Sequence, residues 1–155
     1  MLQAIITDLS KVLLFPKDPT YKGSLNSLHL ELLEKGDYNF WKYFVLNEEL
    51  LNFYRELPHR IDVSVLTTQH IQEHPPLKEK LTNLFKKIYV AKDMGLSKKD
   101  PAIFKELLED IKIDPENILY IDDNQENLDA ASRAGLQTLL YESNEQVVDH
   151  IQTLL

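Results

Sequence analysis

Apolar residues gather in short unbroken runs separated by longer stretches of mixed polarity. Four runs stand out: Ala4–Thr7 (AIIT), Asp62–Leu66 (DVSVL), Ile88–Ala91 (IYVA) and Ile118–Ile121 (ILYI), with a weaker fifth at Thr138–Tyr141 (TLLY). They are rich in β-branched residues and do not alternate with polar ones, the pattern of parallel strands covered on both faces. Between them apolar positions recur at helical spacing. Leu77–Lys87 follows Pro75-Pro76, and proline suits a helix start. Ala102–Ile113 follows Asp100-Pro101, an N-cap and a first-turn proline, and sets Ile103, Phe104, Leu107 and Leu108 on one face. Asn124–Ala134 runs up to Gly135, a residue suited to the position just past a helix end. Ser143 can cap a last helix carrying Val147, Val148 and Ile151. Strands alternating with helices predict an α/β fold on a parallel, doubly wound sheet. Right-handed crossovers then bring the strand C-termini to one edge, where such sheets bind ligands.

Residues 16–47 break the alternation. Between the first strand and a helix at Glu48–Leu57 they hold a helical pattern, Leu25–Lys35, closed by Gly36, and then an aromatic stretch of Tyr38, Phe40, Trp41, Tyr43 and Phe44. This segment reads as a small helical insert over the sheet edge, a minimal cap within one domain of residues 1–155. Phe40, Tyr43 and Phe44 are expected to pack the insert onto the sheet. Trp41 or Tyr43 would line the pocket if the insert covered one.

Charge and composition narrow the function classes. Seventeen Lys and Arg against 25 Asp and Glu give a net charge of −8, which argues against a nucleic-acid backbone surface. The absence of cysteine excludes disulfides, thiolate zinc sites and a cysteine nucleophile. The opening MLQAIITDLSKVLLF carries Asp8 inside its apolar stretch and no small-residue cleavage site. It is read as neither a signal peptide nor a membrane span, and a cytoplasmic protein that binds neither nucleic acid nor membrane is expected.

The chemistry lies at the predicted strand ends. Asp8, Thr67 and the pair Asp122-Asp123 stand there, with Lys98 a few residues past its strand. Singly, each is an ordinary polar residue at a strand end. Together they make a metal and phosphate site. Paired carboxylates hold a hard cation such as magnesium. A hydroxyl and an ammonium hold phosphate oxygens, and one carboxylate can attack phosphorus to form an aspartyl-phosphate. The run His70-Ile71-Gln72-Glu73-His74 matches the H-x-x-E-H pattern of zinc proteases. That pattern needs both histidines on one helix, and Pro75 pushes His74 out of helical geometry, so a polar loop is expected instead. His29, His59 and His150 are isolated and read as surface or packing residues.

The order and context of these residues resemble the haloacid dehalogenase-like (HAD-like) hydrolase superfamily. The likeness is strongest over residues 95–141, GLSKKDPAIFKELLEDIKIDPENILYIDDNQENLDAASRAGLQTLLY, and extends to IITD at 5–8 and SVLTT at 64–68. It implies a HAD-like Rossmannoid three-layer sandwich with the first strand central and flanked by Ile118–Ile121. It also implies site roles: Asp8 as nucleophile and magnesium ligand, Thr67 with Thr68 beside it as phosphoryl-binding residues, and Lys98 as the cation that neutralises nucleophile and phosphate. Asp122 would hold magnesium, with Asp123 a ligand or an orienting group. Ser10 would lend its backbone carbonyl to the metal from the substrate-binding edge. The substrate would be a small phosphorylated molecule, and an insert this short suits an open site or one closed by a second copy in a homodimer.

The departures from the family pattern matter as much. Phosphatases of the family carry Asp two residues after the nucleophile, then usually Gly; this chain has Ser10 and Lys11. A serine hydroxyl does not exchange a proton near neutral pH as a carboxylate does, and losing a positioned acid/base typically costs about 10²–10⁴-fold. Lys11 in place of glycine suggests an altered turn and adds a cation. Thr68 replaces the asparagine common at that place. The resulting expectation is a magnesium-dependent phosphatase of weak or narrowed activity. The alternatives are a catalytically inactive domain that binds a phosphorylated ligand or a protein, and different chemistry at the same nucleophile.

Overall fold

The computed structural model describes residues 1–155. In chain order the elements are β1 (Ala4–Thr7), β2 (Leu14–Pro16), α1 (Leu25–Glu34), α2 (Phe40–Tyr43), β3 (Phe44–Leu46), α3 (Glu48–Arg55) and β4 (Asp62–Thr67). There follow α4 (Pro75–Leu81), β5 (Ile88–Val90), α5 (Ala91–Met94), α6 (Pro101–Ile111), β6 (Ile118–Asp122), α7 (Gln125–Arg133), β7 (Gln137–Leu140) and α8 (Asn144–Leu154).

Five parallel strands form the main sheet in the order β5-β4-β1-β6-β7. β1 is central and pairs with β4 from Ala4↔Asp62 to Thr7↔Val65, and with β6 from Ala4↔Ile118 to Thr7↔Ile121. Both faces are covered, which is why these strands are apolar without alternation. Alternate residues enter different layers, following the two-residue period of a strand. Ile5, Val63, Val65, Leu119 and Ile121 join Leu50 and Leu51 of α3, Leu77 of α4, and Val147 and Ile151 of α8. Ala4, Ile6, Leu66 and Tyr120 join Ile103, Phe104 and Leu107 of α6 with Leu128 and Ala131 of α7. This is the expected α/β three-layer, HAD-like Rossmannoid arrangement. Helix starts follow the local chemistry, with Ser24, Asn47, Asp100, Asn124 and Ser143 each accepting a first-turn N–H on a side-chain oxygen. No helix is long and apolar enough to cross a membrane.

Two elements differ from the sequence expectation. The helix placed over Leu77–Lys87 is α4, which begins at Pro75 and stops at Leu81. Thr82 turns extended at φ −61° and ψ 137°, and Asn83 is left-handed at φ 65°. A β-branched residue followed by asparagine favours that exit. It frees Lys86 and Lys87 to start β5 pairing, with Lys86 N–H on Val63 O at 2.8 Å and Val65 N–H on Lys87 O at 3.0 Å. The insert is also not purely helical. β2 and β3 pair antiparallel, from Leu14↔Leu46 to Pro16↔Phe44, and close its base. Phe40 and Phe44 are buried, stacked with ring centroids 4.6 Å apart, in the core layer shared with α3 and α8. Tyr43 and Trp41 are partly buried against the same layer. His29 is a packing residue, with Nδ1 2.6 Å from the Tyr38 hydroxyl and its ring 4.7 Å from that of His74. The Ile71 N–H donates to Asn26 Oδ1 at 3.3 Å, so α1 rests on the segment that follows β4.

Candidate active site

The site forms where β1, β4 and β6 end. Asp8 follows β1, Thr67 closes β4 and Asp122 closes β6. Because β1 lies between the other two, the three arrive side by side from sequence positions up to 114 residues apart (122 − 8). Lys98 comes from the connection between α5 and α6. Gly95, left-handed at φ 68°, turns the chain out of α5, and Asp100 caps α6 just beyond. Lys98 Nζ donates to Asp8 Oδ1 at 2.8 Å, to Leu66 O at 3.4 Å, and lies 3.2 Å from Asp122 Oδ2. Lysine is almost never fully buried unless paired. Here Lys98 is 7% exposed, Asp8 5% and Asp122 0%.

Asp122 is the most supported carboxylate. Its Oδ2 accepts from the Tyr120 hydroxyl and from Asn127 Nδ2 at 3.0 Å, and its Oδ1 accepts the Asn124 N–H at 2.9 Å. Burial pushes its carboxyl up, but Lys98 and these donors outweigh that and hold it below the usual range. Asp8 shows the opposite balance. Burial pushes its carboxyl up to about 8, Asp122 and Asp123 add to the effect, and Lys98 opposes it only in part. Burial also raises Asp123, with Asp122 adding to the rise. Burial disfavours the Lys98 ammonium, yet Asp8 and Asp122 hold its pKa above the ordinary value.

These directions describe one excess of charge. Asp8, Asp122 and Asp123 each offer a carboxylate oxygen within 4.8 Å of the others, and a single ammonium faces them. The missing positive charge and the all-oxygen donor set suit a hard cation, so the residues fit magnesium.

The remaining sequence candidates are placed as follows. Thr67 is buried at the end of β4, whereas Thr68 is exposed and its carbonyl accepts the Lys92 N–H at 3.1 Å. Ser10 is half-buried on the turn after Asp8 and bridges to Leu14. Lys11 follows Ser10 on this turn. Lys11 itself takes the left-handed conformation a glycine would provide, at φ 63°, with its N–H on Leu14 O at 2.7 Å. For a residue with a side chain that costs roughly 1–2 kcal/mol. The turn is pinned from outside: Asn47 gives its N–H to Leu13 O at 2.7 Å and its Nδ2 to Val12 O at 2.8 Å, and exchanges side-chain bonds with Asn144. The two histidines of the zinc-like pattern do not share a helix. Ile71–Glu73 is one 3₁₀ turn and His74 is extended at ψ 127°. His70 instead stands between Asp93 at 2.8 Å and Glu73 at 2.9 Å.

Sequence reasoning passed over Tyr120, Asn127 and Asn47. Tyr120 was recoverable, because a residue two before Asp122 on the same strand shares its face. Asn47 and Asn144 meet through the fold and carry no local signal.

Comparison with known proteins places this arrangement. The sequence profile of the haloacid dehalogenase-like hydrolases matches residues 42–141, which include Thr67, Lys98, Asp122 and Asp123. Among solved structures, the 2-haloacid dehalogenase of Pseudomonas syringae pv. Tomato DC3000 superposes with a TM-score of 0.72 over 100% of both chains at 14% identity. A HAD family enzyme of Bacteroides thetaiotaomicron, solved with magnesium and inorganic phosphate, has a TM-score of 0.68 over 92% of this chain and 95% of its own, at 18% identity. At such identities the likeness is one of fold. A drimenol cyclase, drtB of Aspergillus calidoustus, is 33% identical over 64 residues, which are 41% of this chain and 12% of the cyclase, so the matched stretch is a small part of that protein. With the matched profile spanning well over half its length, the chain belongs to the haloacid dehalogenase-like hydrolase family.

Proposed function

We propose that the protein is a cytoplasmic, magnesium-dependent phosphohydrolase that acts on a small phosphorylated molecule through an aspartyl-phosphate at Asp8. One observation carries the reading: a buried lysine, Lys98, reaches Asp8 at 2.8 Å and Asp122 at 3.2 Å within a cluster of three carboxylates. The magnesium and phosphate bound to the Bacteroides enzyme of the same fold support it.

Asp8 Oδ1 accepts from both Lys98 and the Leu9 N–H, which orients the carboxylate and leaves Oδ2 without a donor to attack phosphorus. Lys98 neutralises the nucleophile and then the phosphoryl oxygens, and the Thr67 hydroxyl donates to the same group. Magnesium, held by Asp8, Asp122, Asp123 and the Ser10 carbonyl, would supply further charge neutralisation. Tyr120 and Asn127 keep Asp122 ionised and oriented for that task.

Phosphate release from p-nitrophenyl phosphate with magnesium tests the reading. Asp8→Asn is expected to lower turnover at least about 10³-fold, and equal rates for variant and wild type would remove it. Ser10 favours a second reading, a domain that binds a phosphorylated ligand without turnover. Calorimetric binding of inorganic phosphate with no hydrolysis of any ester or anhydride is its signature.

A further inference from the structure

We infer that a cavity at the N-terminal edge of the sheet, apart from the site at Asp8, binds a free aromatic α-amino acid whose ring carries a hydroxyl. The inference stands independently of the phosphohydrolase reading.

Small side chains make the cavity. On the face of the sheet that α6 covers, β1 presents Ala4 and Ile6, and β4 presents Ser64 and Leu66. Ile6 and Leu66 join Phe104 and Leu107 of α6 in a packed layer. Ala4 and Ser64 are too short to do so, and a void of about 180 Å³ remains by Ile111, the last residue of α6. A void of this kind costs stability when nothing fills it. Apolar cavities of about 150 Å³ accept a benzene ring, so this one takes the ring of an aromatic side chain.

The inner end is polar. Asp62 pairs with Ala4 at the mouth, and Ser64 pairs with Ile6 two residues further along β4. That offset is about 6.6 Å, comparable to the span of a para-substituted benzene ring. Ser64 is 6% exposed, lines the cavity, and its hydroxyl has no hydrogen-bond partner in the protein. A buried hydroxyl left unpaired is costly, and a ring hydroxyl that reaches it removes that cost.

The mouth carries both signs of charge. Lys86 Nζ meets Asp62 Oδ2 at 2.6 Å, and Lys87 Nζ meets Asp110 Oδ2 at 2.9 Å. The Tyr89 hydroxyl also donates to Asp110 Oδ2. Oδ1 of each aspartate accepts no bond, and each lysine has spent one of its three N–H donors. Exposed pairs such as these cost little to rearrange. Two aspartates and two lysines around one opening match a zwitterion. Its ammonium lies against Asp110, where the C-terminal end of α6 adds partial negative charge, and its carboxylate against Lys86 and Lys87. A ligand with a single charge leaves half of this set unanswered. Ala4 and Asp62 open the strands that lead to Asp8 and Thr67, so the cavity lies at the far end of both and its occupant does not compete with a substrate.

Isothermal titration of the full chain with L-tyrosine tests the site, with L-phenylalanine, tyramine and p-hydroxyphenylpropionate for comparison. L-tyrosine is expected to bind with a Kd of about 0.1–1 mM, as suits a ligand of its size. Phenylalanine, without the ring hydroxyl, should bind about threefold or more weakly. Tyramine and the propionate, each lacking one charge, should bind about tenfold or more weakly. Ser64→Ala should bring tyrosine to the affinity of phenylalanine. Lys87→Ala, a change at the surface, should weaken tyrosine about fivefold with folding intact. Ala4→Leu should fill the void, abolish binding and raise the melting temperature of the free protein. Should Ala4→Leu fail to fold, Ser64→Ala and Lys87→Ala carry the test. Neither heat nor a rise in melting temperature with about 2 mM tyrosine overturns the inference. Binding that both Ser64→Ala and Lys87→Ala leave unchanged overturns it too, as does equal affinity for tyrosine and its singly charged analogues. Hydrolysis of p-nitrophenyl phosphate reports on the other site and is unaffected by either result.

Discussion

The two edges of the sheet use the same residue types and reach opposite results. At the N-terminal edge Lys86 meets Asp62 at 2.6 Å and Lys87 meets Asp110 at 2.9 Å, beside a cavity of about 180 Å³ lined by Ala4, Ile6, Ser64 and Ile111. At the C-terminal edge Lys98 meets Asp8 at 2.8 Å. The first pairs are open to water, with side chains 36–65% exposed, and each lysine answers one carboxylate. The Tyr89 hydroxyl and Lys87 hold the Asp110 carboxyl below its usual range. Asp8, buried and one of three carboxylates around a single lysine, is pushed up instead. An Asp–Lys contact is therefore not a unit of meaning. Access to water and the count of charges decide whether it is surface decoration or a reactive centre.

The sharpest way to break this comparison is to remove Lys98. Lys98→Met leaves Asp8 and Asp122 buried without their cation. The expected outcome is a loss of roughly 3–5 kcal/mol in stability and of about 10²–10³-fold in turnover of p-nitrophenyl phosphate, read by chemical denaturation and a phosphatase assay. A loss as small as that of an exposed pair would erase the distinction between the edges. Next comes the pH dependence of Asp8. Its folded carboxyl keeps a proton up to about pH 8, while the unfolded chain releases it near the ordinary value of 3.8. Folding therefore takes up a proton between those values, and stability from this group falls as pH rises from about 4 to 8. Without magnesium, Asp8→Asn should melt higher than wild type, with the gap widening over that window to about 5 °C or more. Magnesium should narrow it. A gap independent of pH would show that Asp8 carries no burial penalty. The smallest effect is expected at the opposite edge: Lys86→Ala should change stability by about 0–1 kcal/mol and leave turnover within about twofold.

The sheet was largely legible because burial on both faces writes itself as apolar runs, and strand ends could be read for chemistry once the runs were placed. Thr67, Lys98 and Asp122 followed from that reading together with the family pattern. What stayed hidden depends on exits and long-range pairing. The end of α4 at Leu81 turns on the backbone of Thr82 and Asn83, two residues that sit between otherwise helical neighbours. The three-residue strands β2 and β3 are too short for any periodicity to show, and they exist because each finds the other. The left-handed Lys11 contradicts its own propensity and is imposed by the bonds of Leu13 and Leu14 to Leu9 O and of Asn47 to the turn.

The pairing of β2 with β3 has a consequence for how such a molecule changes over evolutionary time. Pro16 and Phe44 lie opposite one another, so the segment between them leaves and re-enters the scaffold at a single doorway. Lengthening a loop whose ends already meet adds little entropy, since the cost grows only with the logarithm of its length. New sequence can therefore be spliced in at this doorway while Asp8 and the turn behind it stay seated.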